Sequence, residues 1–267
     1  MTQRFKFGKN WQRFLTYLTD ERIAEAEKSL RAMLGVENLA GCTFLDIGSG
    51  SGLFSLAARR LGARVRSFDY DRDSVACAED LKQRFEKDPA AWIISWGDVL
   101  DAEFMAGLGH YDVVYAWGVL HHTGDMYRAL DHAGRCVKPG GQLFVAIYND
   151  QGGISRRWLA VKKMYCSGWP GRWLVTVFGS AYFALVCLKE DLVRFRNPFR
   201  RYREYKKNRG MSMLTDWIDW FGGYPFEVAK PEGLFDFYRD RGFVLEKLIT
   251  VGGNLACNEL VLRKMKD

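Results

Sequence analysis

Phe44-Leu45-Asp46-Ile47-Gly48-Ser49-Gly50-Ser51-Gly52 joins a short apolar run to three alternating glycines, and a helical pattern begins at Leu53. Glycines in such a turn adopt positive φ and let the backbone approach a ligand closely, because no Cβ stands in the way. Dinucleotides use a related turn, but their fingerprint wants a third glycine three residues after the second, where this chain has Leu53. Asp46, just before the turn, repels phosphates and suits a cationic amino group. Asp69 lies 17 residues beyond Gly52, at the end of the next apolar run. A carboxylate there can accept from both hydroxyls of a ribose. In Gly97-Asp98-Val99-Leu100, Asp98 can accept from an adenine amino group while Val99 packs on the ring. Singly, each is equally a turn or a helix cap. Three carboxylates in order at successive strand ends read as one ligand site.

Further along stands Trp117-Gly118-Val119-Leu120-His121-His122-Thr123. Histidine suits the removal of a hydroxyl proton near neutral pH, so His121 and His122 are candidate general bases, with a structural role as the alternative for either. Tyr148-Asn149-Asp150 either orients an acceptor or is a plain loop. Phe7-Gly8-Lys9-Asn10-Trp11 either folds over a ligand as a lid or packs its aromatics on a sheet edge.

The elements that must position these residues follow from periodicity. Strands are expected at Cys42–Ile47, Arg64–Phe68, Trp92–Ser95, Tyr111–Ala116 and Gln142–Tyr148. Helices are expected at Asp20–Leu34, Leu53–Leu61, Ser74–Phe85 and Met126–Val137. The rhythm pauses from about 151 to 229 and resumes with a helix at Pro231–Arg241 and strands at Phe243–Thr250 and Asn258–Arg263. Strands alternating with helices build a parallel sheet from βαβ units, whose ligands lie at the carboxyl ends of the strands. The expected fold is α/β, a doubly wound seven-stranded Rossmann-like sheet with an N-terminal helical extension and a mostly helical insertion after the fifth strand. Its parts are the extension (1–40), the core (41–150), the cap insertion (151–229) and the completion of the sheet (230–267).

The glycine turn, Phe68-Asp69, Gly97-Asp98, Tyr111-Asp112-Val113-Val114 and Val137-Lys138-Pro139-Gly140-Gly141 together resemble the motif series of class I S-adenosylmethionine-dependent methyltransferases, small-molecule methylases among them. The resemblance covers about residues 41–150. It implies S-adenosyl-L-methionine as cofactor, with Asp46, Gly48, Gly50 and Gly52 at the methionine part, Asp69 at the ribose, and Asp98 with Val99 at the adenine. Tyr70 and Trp117, beside these motifs, complete the expected cofactor set. Trp11 and Tyr148 are expected at the substrate. Quinone and other small-molecule methylases look similar over this core, so the acceptor is expected to be a small or lipid-linked molecule methylated at a hydroxyl.

Six scattered cysteines form no CxxC pair, so no metal site is expected. Together with an N-terminus lacking a continuous apolar stretch, they lead us to expect a cytoplasmic protein. The net charge of +7 is uneven, since residues 151–230 hold 15 Lys/Arg against 6 Asp/Glu. Within the insertion, Trp173–Leu188 is 16 residues without a charge, short for a membrane span. Then come Arg194, Arg196, Arg200, Arg201, Arg203, Lys206, Lys207 and Arg209 with interleaved aromatics. Three readings of 173–209 compete: an apolar cap helix on the core followed by a solvated basic helix, a peripheral membrane dock, or an RNA-binding surface. Asp216 and Asp219, among tryptophans, are candidate substrate residues. An RNA methyltransferase, a nucleotide-dependent oxidoreductase (against which Leu53 and Asp46 speak) and a non-catalytic S-adenosylmethionine-binding module are the alternative functions.

Overall fold

A computed structural model of the chain describes residues 8–195, 197, 213–253 and 256–266. Seven strands form one sheet: β1 (Thr43–Ile47), β2 (Arg64–Asp69), β3 (Trp92–Trp96), β4 (Tyr111–Trp117), β5 (Val137–Tyr148), β6 (Phe243–Ile249) and β7 (Cys257–Lys264). Their order is β3-β2-β1-β4-β5-β7-β6, and only β7 runs antiparallel to its neighbours. The direction of winding reverses between β1 and β4, which opens a crevice at their carboxyl ends.

Both faces of the sheet are covered, so the central strands are apolar on both sides and their residues divide by a period of two. Leu45, Ile47, Val114 and Ala116 face α5 (Ala102–Leu108), α6 (Met126–Arg135) and α10 (Pro231–Arg239). Phe44, Val65, Val113 and Tyr115 face α2 (Asp20–Leu34), α3 (Leu53–Arg60) and α4 (Arg72–Phe85). The N-terminal α1 (Gly8–Leu15) rests on α4, with the Gly8 amide donating to Asp71 Oδ2 at 3.0 Å. The other Asp71 oxygen accepts from the Asp73 amide at 3.0 Å, which starts α4 two residues before the expected Ser74.

Other boundaries also shift for physical reasons. Val137 was expected to end a helix, but it pairs with Tyr111 and opens β5, so α6 closes at Arg135. The short α5 escapes the periodicity reading; Asp101 caps it by accepting from the amides of Glu103 and Phe104. The insertion holds α7 (Gly153–Tyr165), α8 (Trp169–Val193) and α9 (Met213–Gly222), which share a small core of Tyr165, Cys166, Val175 and Phe221. An apolar helix packed on the core is therefore only half realised. One side of α8 meets α9, and most of its other large side chains are exposed.

At the amino end of the sheet, Asp112 ties three strands together. Its Oδ2 accepts from the Thr43 amide (2.8 Å), the Thr43 hydroxyl (2.6 Å) and Lys138 Nζ (2.9 Å). These contacts hold its carboxyl below the usual range despite partial burial. Asp112→Ala should cost about 1–3 kcal/mol in denaturant unfolding while leaving donor affinity unchanged, because the staple lies at the end of the sheet opposite the glycine turn. An unchanged unfolding midpoint would contradict this.

Candidate functional site

β1 delivers its carboxyl end to the glycine turn. Gly48, Gly50 and Gly52 have φ of 71°, 54° and 80°, where a side chain is strained. The amides of Gly48 and Ser49 both donate to the Phe68 carbonyl, at 2.8 and 3.1 Å, which fixes the turn to β2. A Cβ on Gly48 would stand 2.3 Å from Val119 Cγ1, and one on Gly52 would stand 2.9 Å from the Ala78 Cα. The turn is thus closed in by its neighbours as well as strained.

Asp46 is only 1% exposed and accepts from the Ser55 hydroxyl at 2.6 Å. Burial raises its pKa to about 7, the Ser55 hydrogen bond opposes that, and the charge of Asp69 adds to it. In the same turn Ser49 Oγ is buried with no hydrogen-bond partner among the described residues. Asp69 ends β2, and its two oxygens accept from the amides of Gly50 (2.9 Å) and Asp71 (2.8 Å). A carboxylate oxygen has two lone pairs and can accept more than one hydrogen bond. Asp98 Oδ1 accepts from the Leu100 amide at 2.9 Å, and Val99 beside it is buried. Tyr70 and Trp96 flank the outer end of the crevice, 46% and 48% exposed, with ring centroids 6.4 Å apart. Trp117 ends β4 and is exposed. A Cβ on Gly50 would meet the Trp11 indole at 3.0 Å, so Trp11 lies on the glycine turn and not on a sheet edge. Phe7 falls outside the described residues.

These residues fit an S-adenosylmethionine donor. The turn keeps an orphaned hydroxyl and a desolvated carboxylate where a methionine ammonium would sit, and a second carboxylate stands one strand over, where a ribose would sit. The ordered carboxylates were legible in the sequence.

The histidines lie in a 3-10 turn, Leu120–His122, just past the residue that closes over Gly48. His122 Nδ1 donates to the Pro225 carbonyl at 2.6 Å, which gives that ring a structural contact. His121 is fully buried, and neither ring nitrogen has a hydrogen-bond partner among the described residues. Burial, then His122 and Lys162, hold it well below the usual histidine pKa, so it is neutral at physiological pH. Tyr148, at the end of β5, lies against it with ring centroids 4.1 Å apart, and contacts Trp220 and Phe226 at 5.7 and 5.4 Å.

Periodicity and motif reading did not single out the cluster beyond Tyr148. Lys162 of α7 is 1% exposed; its Nζ donates to the Trp220 carbonyl and stands 4.2 and 4.9 Å from the Trp220 and Phe226 ring centroids. Burial brings its pKa down to about 7. Trp220 Nε1 is buried without a partner among the described residues. In the structure Ser155, Lys162, Tyr165 and Cys166 share a buried stripe of α7 and its end, which the sequence does not distinguish from its exposed neighbours. Glu227 clamps this cluster to the histidine turn. Its amide donates to the His121 carbonyl at 2.9 Å, and its carboxylate accepts from the amides of Gly124 and Met126 at 3.0 and 3.2 Å. Asp216 and Asp219 belong to α9, but their side chains lie outside the described residues.

Asp46 must be ionised to pair with an ammonium, and burial keeps it protonated below about pH 7. Donor affinity should therefore fall as pH drops through about 7, by up to about tenfold per pH unit. Asp46→Asn should weaken binding by about tenfold or more and flatten this profile, as read by calorimetry across pH. A wild-type profile that is already flat would rule out Asp46 as the ammonium partner.

A family model described as a methyltransferase domain matches residues 8–178. The ubiquinone biosynthesis O-methyltransferase of Methylobacterium sp. (strain 4-46) is 32% identical over 135 residues, 51% of this chain and 51% of that protein. The chain thus spans about half the length of the curated relatives it matches. Among solved structures, magnesium protoporphyrin IX methyltransferase from Synechocystis PCC 6803 with bound SAH shares the fold at a TM-score of 0.52 and 16% identity, over 91% of this chain and 82% of that one. An O-methyltransferase family protein from Burkholderia thailandensis does so at a TM-score of 0.55 and 14% identity, over 92% and 58%. The matched domain, the strand order and the crevice agree, and the chain belongs to the class I S-adenosylmethionine-dependent methyltransferases.

Proposed function

We propose that this chain methylates a hydroxyl on a small, largely apolar acceptor, a quinone-like or other lipid-linked molecule, bound between the ends of β4 and β5 and the cap. The observation that carries this reading is the aromatic surround of His121. A neutral imidazole, with no hydrogen-bond partner on either nitrogen among the described residues, lies against the ring of Tyr148, which in turn meets Trp220 and Phe226. Aromatic walls suit a flat apolar acceptor, and a neutral imidazole suits a hydroxyl about to lose its proton. Similarity to ubiquinone biosynthesis O-methyltransferases supports the same acceptor class.

When bound, the donor supplies an electrophilic sulfonium methyl that the acceptor oxygen takes in line, the electron pair of the broken bond staying on sulfur. The protein's part is then placement and exclusion of water. Asp46 would hold the donor's ammonium and Asp69 its ribose, and Val119 keeps the turn closed at Gly48. His121 takes the acceptor proton on a ring nitrogen. Its low pKa keeps it available as a base across the neutral range. His121 is fully buried, so an acceptor that reaches its ring must displace side chains that cover it. Lys162, near its own titration point, places a partial positive charge near His121 and favours an acceptor oxygen that develops negative charge.

The test is S-adenosylhomocysteine release over a panel of phenols, hydroxyquinols, amines and RNA, with wild type and His121→Ala. The expected outcome is turnover on a phenolic or quinol acceptor, reduced about a hundredfold or more in His121→Ala with donor affinity retained. Full turnover by His121→Ala removes the base, and turnover on amines or RNA alone removes the acceptor class.

A further inference from the structure

α8 is apolar on all sides yet covered on one. Its inner stripe meets α7 and α9: Val175 is buried, the Phe183 ring stacks on Trp158 at 5.6 Å and on Phe221 at 5.3 Å, and a Cβ on Gly179 would stand 2.7 Å from Phe221. On the outer side Leu174, Phe178, Leu185, Leu188 and Leu192 recur at helical spacing and are 41–66% exposed. An 18-residue window of the helix has a mean hydropathy of 1.5 and is 6% buried. A helix that is apolar all round belongs in a core or in lipid, and an exposed face this wide marks a contact surface.

The flanks of the stripe decide what covers it. A helical seam for a second copy is narrow and bordered by charged residues that set the pairing. Here the borders are Trp173, Val177 and Tyr182, exposed and again without charge. Charge appears only around the ends and on α7, and it is mostly positive. Arg156, Arg157, Lys163, Arg172, Lys189 and Arg194 are exposed, whereas Glu190 is the one exposed carboxylate among the described residues from 153 to 195. The sequence beyond continues with seven more Lys/Arg against a single Glu up to residue 209. A broad apolar face with cations at its two ends and on the neighbouring helix matches the boundary between acyl chains and anionic headgroups. Because the inner stripe is held against α9, the helix lies along such a surface instead of crossing it.

We propose that α8 docks flat on an anionic phospholipid surface, its outer stripe entering the acyl boundary and the surrounding Lys and Arg meeting the headgroups. This docking is independent of which acceptor the pocket takes. Co-sedimentation with vesicles of phosphatidylcholine alone, and of phosphatidylcholine with phosphatidylglycerol, tests it at low and high salt. Wild type should pellet with the phosphatidylglycerol vesicles, less so at high salt and least with phosphatidylcholine alone. Partition should fall about tenfold or more in Phe178→Asp/Leu185→Asp, and by a smaller, salt-sensitive factor in Arg156→Gln/Arg157→Gln, with S-adenosylmethionine binding unchanged in both. If the aspartate variant loses its fold, the arginine variant still gives the readout. Failure of wild type to bind phosphatidylglycerol vesicles, or equal binding by both variants, overturns the proposal. So does light scattering that shows a wild-type dimer dissociated by the aspartates without any vesicle binding, since the face then belongs to a second copy.

Discussion

A carboxylate removed from water at the end of a parallel strand organises this protein. Asp46 has left solvent almost completely, and the Ser55 hydroxyl is its one side-chain hydrogen bond among the described residues. Ser55 lies in the first turn of α3, where unpaired backbone amides also favour negative charge. Even so, its pKa rises to about 7. An acid whose pKa is raised on folding favours the folded state while protonated. That contribution fades as pH climbs from the ordinary carboxylate range towards about 7. A cation seated against Asp46 reverses the loss, so the donor's ammonium completes a site that the fold leaves short of positive charge. The rest of the core serves this arrangement. β2 anchors the turn through the Phe68 carbonyl, Val119 closes over Gly48, and α1 lays Trp11 on Gly50.

The motif series splits between two ends of the sheet. Asp46, Asp69 and Asp98 occupy the carboxyl ends of the strands or follow them directly, where ligand atoms can be met. Asp112 and Lys138 occupy the other end and join Thr43 in a staple that keeps β1, β4 and β5 in register. Both kinds of residue are spaced regularly in the chain. Only the direction of each strand separates ligand contacts from framework.

That distinction marks how far the sequence could be read. Alternating helical and strand periods revealed the strands because the sheet buries its central strands on both faces and its edge strands on one, and burial writes its period into residue type. The cofactor carboxylates were legible for a related reason, since each directly ends or follows an apolar run. The cluster around Lys162 was not, because it is made by tertiary contact across the insertion. Lys162 and Lys163 look alike in the chain, yet one is buried over Trp220 and the other faces water. His121 and His122 are adjacent and equally plausible as bases, but only His122 finds the Pro225 carbonyl. Nor does composition say whether an uncharged helix is covered. Trp173 to Leu188 fits a core helix, a membrane dock or an RNA-binding surface alike, and α8 leaves most of it exposed because the apolar partners among the described residues of the insertion cover one side only.

The glycine turn and its three carboxylates select a sulfonium nucleoside over a dinucleotide. Calorimetric titration of the purified chain with S-adenosylmethionine, and in parallel with NAD, measures that choice directly. Saturable heat with S-adenosylmethionine and none with NAD is the predicted result. Saturable binding of NAD with no response to S-adenosylmethionine would contradict it.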